Sequence, residues 1–195
     1  GIRITPPSLM PEMAAGLAGR VSTELLADLR RRNVRSTALR LADDEGIVVE
    51  RLNRAFDPGS VGTVTGGRAT LFEELIATGR VPVIASIGML ADGTPVNVNA
   101  DDAASGLARV LDARALLLLT DVPGVLDDPA ARSDFLDRFA DAFRSGTPLA
   151  LVHGGGAAVD RHLDRIGAET ERRDGIRITP PSLMPEIAAV LSGRV

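Results

Sequence analysis

The sequence predicts an α/β fold with a mostly parallel β-sheet. Apolar runs of strand length alternate along the chain with amphipathic stretches of helical length. One of these runs, Ala115 to Leu119, is entirely apolar, which is typical of a strand buried inside a parallel sheet. The 195 residues and the 45% hydrophobic content fit one globular domain, which we expect to span residues 1–195.

The first half of the chain is predicted to contain two helices and several strands. Apolar side chains recur every four positions between Ser8 and Arg32, which predicts a helix. Residues 37–41 and 47–50, separated by an acidic turn, are predicted to pair as a hairpin. The remaining elements are predicted as a glycine-rich turn over 62–67, a helix over 69–78 and a buried strand over 81–85.

The second half repeats this alternation. Residues 94–100 are predicted as strand or loop, and residues 102–111 as a helix. Asp128 and Pro129 begin a further helix as its N-cap and first turn. The chain is then predicted to form a buried strand over 149–152, a glycine turn over 154–156 and a last helix.

The composition excludes several classes of protein. Because the chain has no cysteine, it cannot contain disulfides, thiolate metal sites or a cysteine nucleophile. The net charge of −4 gives no basic field for nucleic acid, and no apolar run approaches the ~20 residues of a membrane helix. With no signal-peptide pattern, a cytoplasmic protein is expected. All 22 basic residues are arginine, which excludes any site that needs a lysine.

A near-identical segment stands at both ends of the sequence. Residues 1–21 and 175–195 match at 18 of 21 positions, and the notable differences are Gly16 against Val190 and Ala18 against Ser192. Such an overlap indicates circular permutation or a duplicated end. Since two copies cannot occupy one place, one copy is displaced, packs elsewhere or exchanges with a neighbouring chain. We therefore expect a homo-oligomer, with exchanged terminal segments as one arrangement.

Two polar segments are candidate anion or substrate sites. The glycine run that begins at Gly154 lies between a predicted strand and a helix, where backbone N–H groups bind anions and suit a phosphoryl group. The alternative is a turn that serves tight packing alone. Asn97 and Asn99 point the same way in extended chain, and Asp101 follows at the start of a helix. The alternative there is a plain turn in which Asp102 caps the helix.

Two further segments are weaker candidates. Residues 120–126 follow the apolar strand, where α/β proteins place ligands, although a Pro-Gly pair is also a common turn. The arginine of the repeat, Arg3 or Arg177, can hold a carboxylate through two hydrogen bonds, although a lone arginine is more often solvated.

Taken together, these segments resemble motifs of the amino acid kinase family, and within it of the acetylglutamate kinases. The segments are His153 to Gly156, Asp174 to Thr179, Val96 to Asp101 and Thr120 to Leu126. The resemblance covers nearly the whole chain in a permuted order, because residues 1–126 are similar to the family's middle part and residues 129–195 to its early part. It implies a three-layer αβα sandwich that is circularly permuted.

The resemblance also implies an activity, namely transfer of the γ-phosphoryl group of ATP, with Mg²⁺, to the side-chain carboxylate of N-acetyl-L-glutamate in arginine biosynthesis. Gly154 and Gly155 would face the acyl phosphate as it forms, and Asp101 would organise the catalytic lysines. The substrate would be bound by Gly154, Gly155, Asn97, Asn99, and Arg177 or its duplicate Arg3. The nucleotide would be bound by Thr120, Asp121, Val122, Pro123, Gly124, Val125 and Leu126.

The sequence departs from this pattern in its charged residues. The two lysines that neutralise the family's transition state have no counterpart here. Arginine offers charge but a different donor geometry, and losing such stabilisation costs orders of magnitude in rate. Two hypotheses therefore stay open: an active phosphotransferase, and a catalytically impaired or inactive binding or scaffold derivative of the same fold.

Overall fold

Helices and strands alternate in the computed structural model, which describes residues 5–53, 57–117, 129–154, 165–167, 171–173, 176–178 and 181–183. The α-helices are α1 Met10–Ala14, α2 Ser22–Arg31, α3 Thr70–Ala77, α4 Ala100–Val110 and α5 Pro129–Arg144. The strands are β1 Ser36–Arg40, β2 Ile47–Arg51, β3 Val61–Gly67, β4 Val81–Ala85, β5 Ile87–Met89, β6 Pro95–Val98, β7 Leu151–His153, β8 Glu171–Arg173 and β9 Ile176–Ile178. The predicted α/β class is confirmed.

The helix predicted from Ser8 to Arg32 is confirmed in its extent, but its geometry changes along the way. A 3-10 turn at Pro7–Leu9 leads into α1, and a π-helical stretch at Ala15–Val21 joins α1 to α2. Two glycines lie in the π-helical stretch, and glycine tolerates departures from α-helical geometry better than other residues.

A parallel sheet with the strand order β1-β4-β7 forms the centre of the molecule. Side chains of β4 alternate between its two faces, as strand geometry requires. Val81 and Val83 pack in one cluster with Leu29 of α2 and Leu136 of α5, whereas Ile84 packs in another cluster that α3 and α4 complete. Helices therefore cover both faces of this sheet, which gives three layers.

A second, mixed sheet has the order β2-β3-β6-β5, and it shows that two sequence predictions are wrong. The predicted hairpin does not form, because β1 pairs with β4 and β2 pairs antiparallel with β3. The predicted turn over 62–67 is β3 instead. Its glycine content reflects close packing, since a Cβ on Gly62 would lie 2.7 Å from Val96 Cγ2.

Asp44 connects the acidic segment between β1 and β2 to α3. Its buried carboxylate accepts hydrogen bonds from the backbone N–H groups of Leu71 (2.9 Å) and Phe72 (3.3 Å), at the start of α3. It also accepts one from Gly46 N at 3.1 Å. The segment is thus tied to a helix 27 residues further along the chain rather than closed on itself.

The prediction of a buried strand over 115–119 is wrong for the residues that the structure describes. Residues 115–117 form no strand, and Leu116 and Leu117 are 45% and 73% exposed. Both edges of β4 are already taken by β1 and β7, so no place beside the central strand remains for this segment. Leu118 and Leu119 lie outside the described residues.

The second half of the chain adds α5, β7 and the β8-β9 hairpin. The predicted helix is present as α5 from Pro129 onward, and α5 is held against α2 by Arg32, whose guanidinium contacts Asp137 (2.7 Å) and Ser133 Oγ (3.0 Å). Asp128 and most of the helix predicted after Gly156 lie outside the described residues. In the described part of the chain, every helix is too short or too polar to cross a membrane. A single domain and the circular permutation stay predictions.

Candidate functional site

The two sheets are joined where β4, β6 and β7 end. Ser86, which follows β4, donates its backbone N–H to the carbonyl of His153 (3.3 Å) and accepts a hydrogen bond from Val98 N (2.9 Å). The ends of all three strands therefore meet at one buried serine. In α/β folds, ligands bind where parallel strands end, so this junction is the candidate site.

Gly154 lies directly against the first residue of α4. A Cβ added at Gly154 would lie 3.1 Å from Ala100 Cβ and 4.0 Å from Ser86 Oγ. Only glycine lets the backbone approach the helix N-terminus this closely without displacing a neighbour. The structure thus brings together Gly154 and the polar segment that ends in Asp101, although the two are more than 50 residues apart in sequence.

The N-terminus of α4 is capped by Asn99 rather than by Asp102. Asn99 Oδ1 accepts the backbone N–H groups of Asp101 (3.0 Å) and Asp102 (3.1 Å). The Asp102 side chain instead accepts a hydrogen bond from Thr63 Oγ1 at 2.7 Å. Asp101 is exposed in the first turn of the helix, where a carboxylate is favoured by the helix dipole. Among the described residues, no acceptor is bound to Asn99 Nδ2.

Asn97 lies in β6 and contacts the first copy of the terminal repeat. Its Nδ2 donates to Thr5 Oγ1 at 3.4 Å. Thr5 is buried and forms a parallel bridge with Gly59. The first repeat is therefore seated beside a predicted substrate-binding residue, with Arg3 two positions before Thr5 in the sequence.

His153 is a residue of this site that sequence reasoning missed. It immediately precedes Gly154, is 91% buried, and its Nε2 lies 2.9 Å from Ser22 Oγ. Its Nδ1 is buried and has no hydrogen-bond partner among the residues that the structure describes. Burial lowers the pKa of His153 to about 4, so the imidazole is neutral at pH 7. The only available signal was its place before the glycine run, because Ser22 is 131 positions away.

Several predicted site residues cannot be placed. Gly155 and Arg3 lie outside the described residues, and Arg177 lies in β9 without a described side chain. The predicted nucleotide-binding residues also lie outside the described part, namely Thr120, Asp121, Val122, Pro123, Gly124, Val125 and Leu126. The roles assigned to all of these residues stay predictions.

A cavity of about 330 Å³ lies elsewhere, along the C-terminal half of α4. Its lining includes Gly66, Gly67, Gly106 and Arg109, and the arginine donates to the carbonyl of Val64 at 3.3 Å. None of its lining residues belongs to the junction of β4, β6 and β7.

Comparisons of the sequence with known proteins found a family and several relatives. The profile of the amino acid kinase family matches residues 8–138. Acetylglutamate kinase of Vibrio cholerae is 41% identical over 147 residues, which cover 75% of this chain and 55% of that enzyme. Acetylglutamate kinase of Aliivibrio fischeri (strain MJ11) is 42% identical over 127 residues, which cover 65% and 48% of the two chains. The chain thus spans about half the length of the curated relatives it matches.

A solved structure supports the fold alone. The crystal structure of smu.665 from Streptococcus mutans UA159 superposes with a TM-score of 0.56 at 22% identity. The match covers 77% of this chain and 74% of that one.

Proposed function

Because the chain belongs to the amino acid kinase family, we propose that it is a phosphotransferase of the acetylglutamate kinase type. It would transfer the γ-phosphoryl group of ATP to the side-chain carboxylate of N-acetyl-L-glutamate, a step of arginine biosynthesis. The observation that carries this proposal is the close approach of Gly154 to Ala100, which supports one anion site between a glycine turn and a helix N-terminus.

The proposed reaction needs no proton transfer. A carboxylate oxygen attacks the γ-phosphorus, the bond from that phosphorus to the β,γ-bridging oxygen breaks, and ADP leaves. Backbone N–H groups around Gly154 and at the start of α4 would face the negative charge on the phosphoryl group in flight. Catalysis of this kind depends on positioning and on charge neutralisation.

The acceptor would be held by the polar residues of the same edge. Asn97 and Asn99 each offer an Nδ2 donor, and Arg3 or Arg177 would bind the α-carboxylate through two hydrogen bonds. Asp101 would orient the cationic groups of the site. Since the chain has no lysine, those groups would be arginines.

The nucleotide would be bound by residues 120–126. Within the described residues there is no group of three or more acidic, histidine or cysteine side chains that could hold a metal ion. A Mg²⁺ ion would therefore enter with the phosphates of the nucleotide, as is common for this ion, and would neutralise part of their charge. The predicted homo-oligomer and the cytoplasmic location also belong to this proposal.

Binding and turnover are best tested separately. Calorimetry with N-acetyl-L-glutamate should show binding that Asn97→Ala weakens and that Asn53→Ala, at an exposed site, leaves unchanged. ADP release with Mg-ATP should fall in Asp101→Ala but not in Glu73→Ala, which removes an exposed carboxylate from the first turn of α3. Equal ADP release from Asp101→Ala and the unchanged chain would refute the phosphotransferase. Binding without any turnover would instead identify the inactive derivative.

A further inference from the structure

Both copies of the terminal repeat contain the same 3-10 turn and reach the same apolar cluster. A 3-10 turn is present at Pro7–Leu9 in the first copy and at Pro181–Leu183 in the second, which are equivalent positions. Leu9 and Leu183 both pack against one cluster. The buried members of that cluster are Met10, Met13, Leu17, Ala85 and Ile87.

The first copy is seated by contacts that its counterpart can reproduce. Thr5 N donates to Pro58 O at 3.0 Å, and Ser60 N donates to Thr5 O at 2.6 Å. Thr5 Oγ1 accepts from Asn97 at 3.4 Å. These contacts use only backbone groups and a threonine hydroxyl. The second copy has the same residue type at Thr179.

The apolar contacts can be reproduced as well. The three buried side chains that the first copy contributes to the cluster are Met10, Met13 and Leu17, and their counterparts are Met184, Ile187 and Leu191. Replacing methionine by isoleucine keeps both apolar character and approximate volume. We call the surface formed by Pro58 to Ser60, Ala85, Ile87 and Asn97 the acceptor groove.

We propose that the acceptor groove binds either copy of the repeat, and that residues 179–191 of the same chain replace residues 5–17 when the first copy is weakened. Leu183 already contacts the cluster, so the second copy is held at a high effective concentration next to the groove. A copy from another molecule would have to compete with this tethered segment.

One sequence difference explains why the first copy occupies the groove. Gly16 is buried, and the second copy has Val190 at the equivalent position. Adding a branched side chain to a packed position forces neighbours to move, which is destabilising. The second copy is therefore the minor occupant, and its share rises only when the first copy loses contacts.

The exchange has a consequence for the proposed site. It would put Arg177 at the sequence position that Arg3 has now, two residues before the threonine that binds the acceptor groove. The site would then keep an arginine with either occupant. This consequence alone rests on the proposed function, whereas the exchange itself is tested by folding.

The first experiment is a cycle of four proteins: the unchanged chain, Met10→Asp, Met184→Asp and the double variant. Met10 is 2% exposed, so an aspartate there expels the first copy from the groove. We expect Met184→Asp to leave the urea midpoint unchanged and Met10→Asp to lower it in part. The double variant should lower the midpoint by clearly more than the sum of the two single-variant losses. Additive losses, or a Met10→Asp chain that is already unfolded, would overturn the proposal. The same cycle can be made with Thr5→Ala, Thr179→Ala and their double variant, which remove a hydroxyl group instead of burying a charge.

The second experiment follows the two segments directly. Because the chain has no cysteine, Ser8→Cys or Ser182→Cys provides a single labelling site, and both serines are exposed in the 3-10 turns. In the Met10→Asp background, we expect the label at 8 to gain mobility and the label at 182 to lose it. An unchanged label at 182 contradicts the exchange. Loss of mobility at 182 that depends on protein concentration contradicts exchange within one chain.

Discussion

Ser22 Oγ and His153 Nε2 lie 2.9 Å apart and connect the start of α2 to the strand that precedes the glycine turn. The serine hydroxyl donates to the carbonyl of Leu17 at 3.1 Å, so its oxygen accepts the proton of Nε2. His153 is thereby assigned a neutral imidazole with its proton on Nε2. Gly154 follows His153 directly in the sequence.

The first prediction concerns pH and stability. Burial lowers the pKa of His153 from 6.5 to about 4, so between these values the folded state binds fewer protons than the unfolded state. The contribution of His153 to the free energy of unfolding is therefore fully present above pH 6.5 and is lost as the pH falls towards 4. At about 1.4 kcal/mol per pKa unit, the loss amounts to about 3 kcal/mol. Urea unfolding at pH 7.5 and 4.5 measures the loss. It should shrink in His153→Gln; a loss in this variant equal to that of the unchanged chain would contradict the assignment.

The second prediction concerns the serine itself. Ser22→Ala leaves Nε2 of a buried imidazole without an acceptor, which should lower the free energy of unfolding by about 1–3 kcal/mol. The matched control is Thr23→Ala at the next position, where the hydroxyl is exposed and donates to the nearby carbonyl of Gly19. The free energy of unfolding of Thr23→Ala should differ from that of the unchanged chain by less than about 0.5 kcal/mol. Chemical denaturation that gives equal losses for the two variants would show that the contact with His153 contributes nothing.

The third prediction concerns the buried carboxylate of Asp44, which accepts backbone hydrogen bonds at the start of α3. Asp44→Ala removes the acceptor of three backbone N–H groups and should destabilise the chain by about 1–3 kcal/mol. Glu45→Gln, at an exposed neighbouring position, should have almost no effect. Both are measured by urea unfolding at pH 7. A loss for Asp44→Ala as small as that for Glu45→Gln would argue against the cap.

The fourth prediction concerns the close approach at the candidate site. Gly154→Ala places a methyl group 3.1 Å from Ala100 Cβ, so the glycine turn must move away from α4. We expect a loss of about 1 kcal/mol in stability, as for mild overpacking, and about tenfold weaker binding of N-acetyl-L-glutamate. Gly66→Ala is the control, because no atom lies within 4 Å of its added methyl group. Unchanged affinity in Gly154→Ala would remove the turn from the binding site.

Local signals in the sequence predicted the elements that depend on local interactions. The helices α3 and α4 and the buried strand β4 follow from periodicity and composition alone. Strand pairing does not, because the partner of β1 is the distant strand β4 and not its neighbour in sequence, β2. The exposure of Leu116 could not be predicted either, since an apolar run does not show which sheet edges are free.

The candidate site was predictable in part for the same reason. The segment from Asn97 to Asp101 and the glycine at 154 have recognisable motifs, and the structure places them together. The helix cap at Asn99 was missed because Asp102 is an equally good capping residue by sequence. The contact of His153 with Ser22 joins residues far apart in the chain, and no local pattern shows it.

Amide NMR of the ¹⁵N-labelled chain during titration with N-acetyl-L-glutamate tests most directly whether the glycine turn and the start of α4 form one site. The account predicts that the Gly154 and Asp101 resonances shift together with one dissociation constant, while the Gly66 resonance stays in place. Movement of only one of the two resonances, or different dissociation constants for the two, would contradict it.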